Sequence, residues 1–284
     1  MPEINVTQWQ GEPLVGKSLI VWPEQGLGDE IQFVRYVYLL KKQQPKKIIL
    51  VCRQPLQTLL SQLSVVDKVI SQNDFQLADA DDIDYWAFMM SFPFHLKTTL
   101  ETVPANLPYL YACSNKQLFW KQFLPCATFV VGLVWKGNEK NANDCDRSIP
   151  SLQILKPLWN VSGVSFVSLQ RDIDECDISV LNDTQPLVHL GCKIKDFSDT
   201  AAIISQLDLV IAVDTAVVHL AGALNTNCWV LLSENGTDWR WPANDNGAPW
   251  YPNVMRLFRQ TLAGEWGDVM LSVEQALTEK LTEF

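Results

Sequence analysis

Positive charge is scarce in this sequence: 22 lysines and arginines stand against 32 aspartates and glutamates in 284 residues, a net charge of −10. Nucleic acid, or an anionic membrane surface, is therefore not the expected partner. Any phosphate must instead be held by a few local cations and by backbone N–H groups. The cysteines do not pair: there are seven, and no two lie within ten residues of each other, a spacing that fits neither a zinc site nor a disulfide framework. Also missing are an apolar run of membrane-spanning length and a basic segment leading into an apolar core near Met1-Pro2-Glu3-Ile4-Asn5. A reducing cytoplasm is the expected location, with no membrane span. What is present, a 48% hydrophobic content, supplies sizeable cores for one large or two ordinary domains.

Apolar runs and amphipathic stretches alternate in two series that separate near residue 120. In the first, Ser18-Leu19-Ile20-Val21-Trp22 reads as a strand and residues 30–42 as a helix, its buried stripe made by Ile31, Val34, Val37 and Tyr38, with Gln32 and Arg35 facing outward. Further strands are expected at 47–51, 66–70 and 84–89, and a helix at 55–63. Residues 113–127 read as the linker. The second series has strands at 129–135, 164–169, 187–190, 209–213 and 228–232, and helices at 151–159 and 272–280. Another helix opens at Asp196-Phe197-Ser198-Asp199-Thr200, with Ser198 as its N-cap. Two doubly wound, Rossmann-like α/β halves, residues 1–120 and 121–284, facing each other across a cleft, are the economical architecture.

The stretch from Leu209 to Leu224 organises the chain. Its first five residues are a continuous apolar run suited to a strand buried on both faces. Asp214 ends the run; Ala216, Leu220 and Ala223 then recur at helical spacing, with Asp214 or Thr215 as the N-cap. Such a turn is where open α/β sheets bind ligands, and a helix N-terminus offers N–H groups to an anion. Ala221, Gly222 and Ala223 would let the helix lie close on its sheet, and His219 falls one turn inside. Read alone, the same text is equally a capped helix with a packed histidine. The other glycine-bearing turn, Gly26-Leu27-Gly28-Asp29, is not a dinucleotide fingerprint: Ile31 stands where the third glycine is needed, and Cys52-Arg53 follow the next strand without a ribose-binding acid. Lys136 at a strand's carboxyl end and Arg147 just before a helix are the natural phosphate cations, and Gln170 lies at the end of the strand at 164–169. Loop text between 233 and 252 carries Trp239, Arg240, Trp241, Trp250 and Tyr251, some of which are expected to line a cleft where a base or sugar can stack.

Asp214-Thr215, His219-Leu220-Ala221 and Ala223-Leu224, following an apolar strand, resemble the nucleotide-sugar motif of the family 9 glycosyltransferases, the heptosyltransferase-like enzymes of the GT-B fold. Gly26, Gly28 and Asp29 after the first strand match the same enzymes. Residues 22–33, and Val134-Trp135 with Gly137-Asn138 before a polar loop and Arg147-Ser148, are similar to the glycosyltransferase-like domain that follows tetratricopeptide repeats in many bacterial proteins. Repeats of about 34 residues are absent from this text, so if a tetratricopeptide-repeat protein belongs to the system it is a partner on another chain, and otherwise there is none. The resemblance implies a metal-independent, inverting glycosyltransferase of the GT-B fold. A nucleoside-diphosphate sugar is its co-substrate, with no further cofactor, and the acceptor is a hydroxyl of a protein or glycan. Asp29, after two glycines at the carboxyl end of the first strand, is expected as general base, and Gly28, Lys136, Arg147, Gln170, Asp214, Thr215, His219, Trp239 and Arg240 are expected around the nucleotide sugar. On local text Asp29 has a rival role as N-cap of a helix beginning at Glu30. Asp172-Ile173-Asp174 has the spacing of a metal motif but reads as the opening of a helix, and no metal site is expected. Two other readings stay open: a catalytically degenerate nucleotide-sugar-binding or protein-interaction module, and a GT-B epimerase or hydrolase.

Overall fold

The computed structural model describes residues 4–173, 177, 187–243 and 247–282; Asp174 and Cys176 lie outside the described residues. The chain folds into two parallel sheets. The first holds β1 (Thr7–Gln8), β2 (Ser18–Trp22), β3 (Lys47–Cys52), β4 (Lys68–Ser71) and β5 (Tyr85–Phe88), in the order β1-β5-β2-β3-β4. The second holds β6 (Phe129–Val134), β7 (Val164–Ser168), β8 (Leu187–His189), β9 (Leu209–Val213), β10 (Cys228–Leu232) and β11 (Met255–Arg259), in the order β11-β10-β9-β6-β7-β8. β2, β9 and β10 are buried at every residue, as continuous apolar runs covered on both faces must be.

Strand order fixes where a ligand can enter. In the second sheet the chain starts at β6, winds outward through β7 and β8, then returns to lay β9, β10 and β11 on the other side. This is the order of dinucleotide-binding sheets, and the crevice opens at the carboxyl ends of the two strands where the winding reverses. Those strands are β6 and β9, neighbours with Val134 beside Ala212. The first sheet reverses between β2 and β5 in the same way.

Helices join the halves. α1 (Leu27–Phe33), a 3-10 turn at Val34–Tyr36 and α2 (Val37–Lys42) form the crossover after β2. α3 (Ser114–Lys121), α4 (Phe197–Ile204), α5 (Ala216–Ala223) and α6 (Gly267–Thr282) follow. α1 packs on α5, so one apolar core runs from Leu19 and Val21 through Ile31 and Val34 to Val210, Ala212 and Leu220 without a break between halves. Among the described residues no helix is long and apolar enough to cross a membrane.

Several expectations are corrected. The stretch read as a linker carries α3, and the boundary near residue 120 falls inside that helix; Lys116 and Trp120 reach Asp199 on α4, at 2.7 and 3.1 Å. Gln32 and Arg35, read as outward, are buried because Tyr109 from the first half and Trp250 and Arg240 from the second cover that face of the crossover. The helix after β2 starts at Leu27, with Gly26 rather than Asp29 as N-cap. α4 is capped by Asp196, whose Oδ1 accepts the N–H groups of Ser198 and Asp199, so Ser198 lies inside the helix. β11 was not foreseen. Gly222 makes room for the Tyr251 ring rather than for the sheet, since a Cβ there would lie 2.3 Å from it.

Candidate functional site

β9 runs directly into Asp214 and Thr215, and Thr215 takes the extended backbone of an N-cap for α5. Its side chain makes no capping hydrogen bond, and Oγ1 is buried with no partner among the described residues. The first turn of a helix needs acceptors from outside it; here the Thr215 carbonyl takes the Val218 N–H at 3.1 Å, and the Thr215 side chain, which would normally take another, does not. Arg147 lies alongside, donating from Nη1 to the Asp214 carbonyl at 3.1 Å and from Nε to Asp144 at 3.2 Å. Gly137 lets it pass, because a Cβ there would sit 2.7 Å from Arg147 Nη2. Asp214 accepts from Trp241 Nε1 at 2.9 Å, and burial pushes its carboxyl upward.

The neighbouring strand end is built by polar side chains turned inward. Gln170 Oε1 accepts the N–H groups of Trp135 and Lys136 at 3.2 and 3.0 Å, fixing the exit of β6. Lys136 Nζ lies 2.9 Å from Asp177, a fully buried carboxylate that also takes Trp135 Nε1 and the Leu152 N–H at 2.7 and 2.8 Å. Asp177 had no signal in the sequence.

From the first half, α1 presents the opposing turn. Asp29 Oδ2 accepts the Gly26 N–H at 2.7 Å, while Oδ1 accepts from Arg240 Nη1 at 2.6 Å. The same Arg240 nitrogen reaches Gln32 Oε1 at 2.8 Å, and the rest of the guanidinium holds Asp238. Glu24, just before this turn, has a buried carboxylate oxygen without a partner among the described residues, and burial pushes its carboxyl up. Glu30 is buried against Arg53.

Gly28 is the point of contact between the two motifs: a Cβ there would lie 2.8 Å from His219 Cδ2 and 3.4 Å from Ala216 Cα. His219 Nδ1 is 2.9 Å from the Tyr251 hydroxyl, and its ring stacks on Trp241 at 5.5 Å. Burial, with Arg240 and Arg35 nearby, pushes the imidazole down to about 3, so it is neutral near pH 7. Arg35 crosses the other way, from the first half to the Trp250 carbonyl at 2.6 Å, with its guanidinium over the Tyr109 and Tyr251 rings at 4.4 and 4.6 Å.

The structure thus brings Gly28, Asp29, Arg147, Asp214, Thr215, His219 and Arg240 to one place, with Lys136 and Gln170 on the adjacent strand end. Trp239 stands at its rim, 74% exposed, edge-on to Trp250 at 6.4 Å. Of the loop residues from which some were expected to line a cleft, Trp241, Trp250 and Tyr251 are buried instead: the Trp241 indole N–H is satisfied by Asp214 and the Trp250 carbonyl by Arg35. Sequence reasoning missed Arg35, Gln32 and Asp177, whose partners lie far along the chain.

No family model matches the chain. It is similar to the Protein FlbA of Caulobacter vibrioides, 28% identical over 308 aligned positions that take in 98% of this chain and 49% of that protein. The chain therefore spans about half the length of this curated relative. Among solved structures, it resembles the glycosyl transferase family 9 protein of Veillonella parvula, at 10% identity and a TM-score of 0.63, over 98% of both chains. It also resembles the ADP-heptose LPS heptosyltransferase II of E. coli, at 14% identity and a TM-score of 0.65, over 94% of this chain and 98% of that one. The E. coli heptosyltransferase WaaC with ADP matches at 12% identity and a TM-score of 0.54, over 94% and 98%. With its two parallel sheets meeting at α1 and α5, the chain has the GT-B fold of the family 9 glycosyltransferases and heptosyltransferases.

Proposed function

We propose that this chain transfers a sugar from a nucleoside-diphosphate sugar to an acceptor hydroxyl. The observation that carries the reading is the uncapped N-terminus of α5 with Arg147 beside it, at the point where the winding of the second sheet reverses. There a diphosphate would accept the first-turn N–H groups and a hydrogen bond from Arg147, and Trp239 at the rim would meet the base. Lys136 would join only by exchanging its contact with Asp177.

Asp29 would serve as general base. The acceptor oxygen forms a bond to the anomeric carbon from the face opposite the diphosphate, the bond from that carbon to the phosphate oxygen breaks, and Asp29 takes the acceptor's proton. This single displacement inverts the anomeric centre. The departing charge falls to Arg147, Arg240 and the helix end. Arg240 now bridges Asp29 and Asp238; an arriving diphosphate would compete for it, freeing the Asp29 oxygen it holds. One observation favours a second reading, binding without turnover: both Asp29 oxygens already have partners.

Calorimetric titration with ADP, UDP and GDP tests the site. At least one should bind, and Arg147→Ala should weaken it by about 1.5 to 3 kcal/mol, the range of a hydrogen bond to a charged group. Equal binding by the parent and Arg147→Ala would remove this assignment.

A further inference from the structure

One turn beyond Asp29 on α1, Gln32 is fully buried and its amide is half satisfied. Oε1 accepts from Arg240 at 2.8 Å, whereas Nε2 is enclosed and donates to nothing among the described residues. Turning the amide over does not repair this, since it would set the amide's N–H groups against those of the guanidinium, donors facing donors. A buried, unpaired donor is destabilising, and an apolar side chain of the same size would avoid the loss. Thr215 Oγ1, also buried and unpartnered, opens the helix that packs on α1. α1 and the cap of the helix packed on it thus each carry one unanswered polar atom among the described residues.

The missing partner must bring an oxygen lone pair, because Nε2 can only donate. A phosphate oxygen fits poorly: the diphosphate is met by Arg240, and the Asp29 carboxylate that it would free stands close by as a second anion. An uncharged hydroxyl fits well, accepting from the amide while donating its own proton to a neighbouring carboxylate. Resting on the glycosyl-transfer reading above, we infer that Gln32 is a specificity-determining residue that donates to a hydroxyl oxygen of the transferred sugar. It thereby separates a nucleoside-diphosphate sugar from the bare diphosphate.

The test is titration with matched pairs in the absence of acceptor: ADP and ADP-heptose, UDP and UDP-glucose, GDP and GDP-mannose. Gln32→Glu keeps the oxygen for Arg240 and deletes the donor. Gln32→Met removes both without adding charge, and keeps the test open if the added carboxylate disturbs folding, which a melting curve reports. The parent should bind the sugar member of one pair more tightly than its diphosphate, and both variants should lose about tenfold or more of that margin. A margin unchanged in the variants would overturn the role of Gln32 and leave the diphosphate site standing. A parent that binds neither member of any pair would remove the glycosyl-transfer reading, and this inference with it.

Discussion

α4 and α5 are helices of equal length in the same half of the molecule, both largely buried, and they begin in opposite ways. At α4, Asp196 accepts the N–H groups of Ser198 and Asp199 at 2.9 and 3.1 Å, and Lys116 closes over Asp199 at 2.7 Å. Burial works against both carboxylates, but hydrogen bonds from Ser198 to Asp196 and from Lys116 to Asp199 hold them below the usual carboxylate range. At α5 the cap residue's side chain contributes no bond, the nearest carboxyl is pushed up by burial beneath Trp241, and the adjacent cation grips a backbone carbonyl. An internal anion completes the first helix end. The second is left for an external one, and only this second end lies at the reversal of the sheet and against the Asp29 turn.

The comparison is sharpest in the chemistry opposite α5. Asp29→Asn can still accept the Gly26 N–H but cannot take a proton. The variant should fold and bind the nucleoside diphosphate, and its turnover of the donor should fall about 10²- to 10⁴-fold in a diphosphate-release assay. Turnover near the parental rate would take Asp29 out of the mechanism and make Glu24, with its unpartnered buried oxygen, the carboxylate to examine. A smaller effect is expected at α4. Asp196→Ala should lower the unfolding free energy by about 0.5 to 2 kcal/mol, read by chemical denaturation, and leave nucleotide affinity alone. Weaker nucleotide binding in that variant would break the contrast between the two helix ends.

The parts of this arrangement that were legible are those written in local pattern. β2, β9 and β10 lie on the apolar runs that announced them, and the passage from β9 into α5 follows from Asp214 ending such a run before small residues at helical spacing. α3 was missed because it docks through polar groups: Lys116 on Asp199 and Gln117 on Ser205, with Trp120 its one buried residue. The start of α1 was placed late because glycine-rich text reads as loop, whereas Asp29 from inside the first turn supplies the acceptor that Gly26 needs. Arg35 and Gln32 sit on what local pattern makes a solvated face; Pro104 and Tyr109 from the first half, with Trp250, Tyr251 and Arg240 from the second, make it an interior. No spacing along the chain announces a partner some 200 residues away.

Whether the α5 end is open for a diphosphate is decided by making it resemble the α4 end. Thr215→Asp places there the same kind of carboxylate that Asp196 supplies, to take the first-turn N–H groups and repel phosphate. Calorimetric titration of this variant with ADP, UDP and GDP should show binding weakened about tenfold or more relative to the parent, in a protein whose melting curve stays cooperative. Parental affinity in Thr215→Asp would contradict the account and put the nucleotide, if it binds, elsewhere.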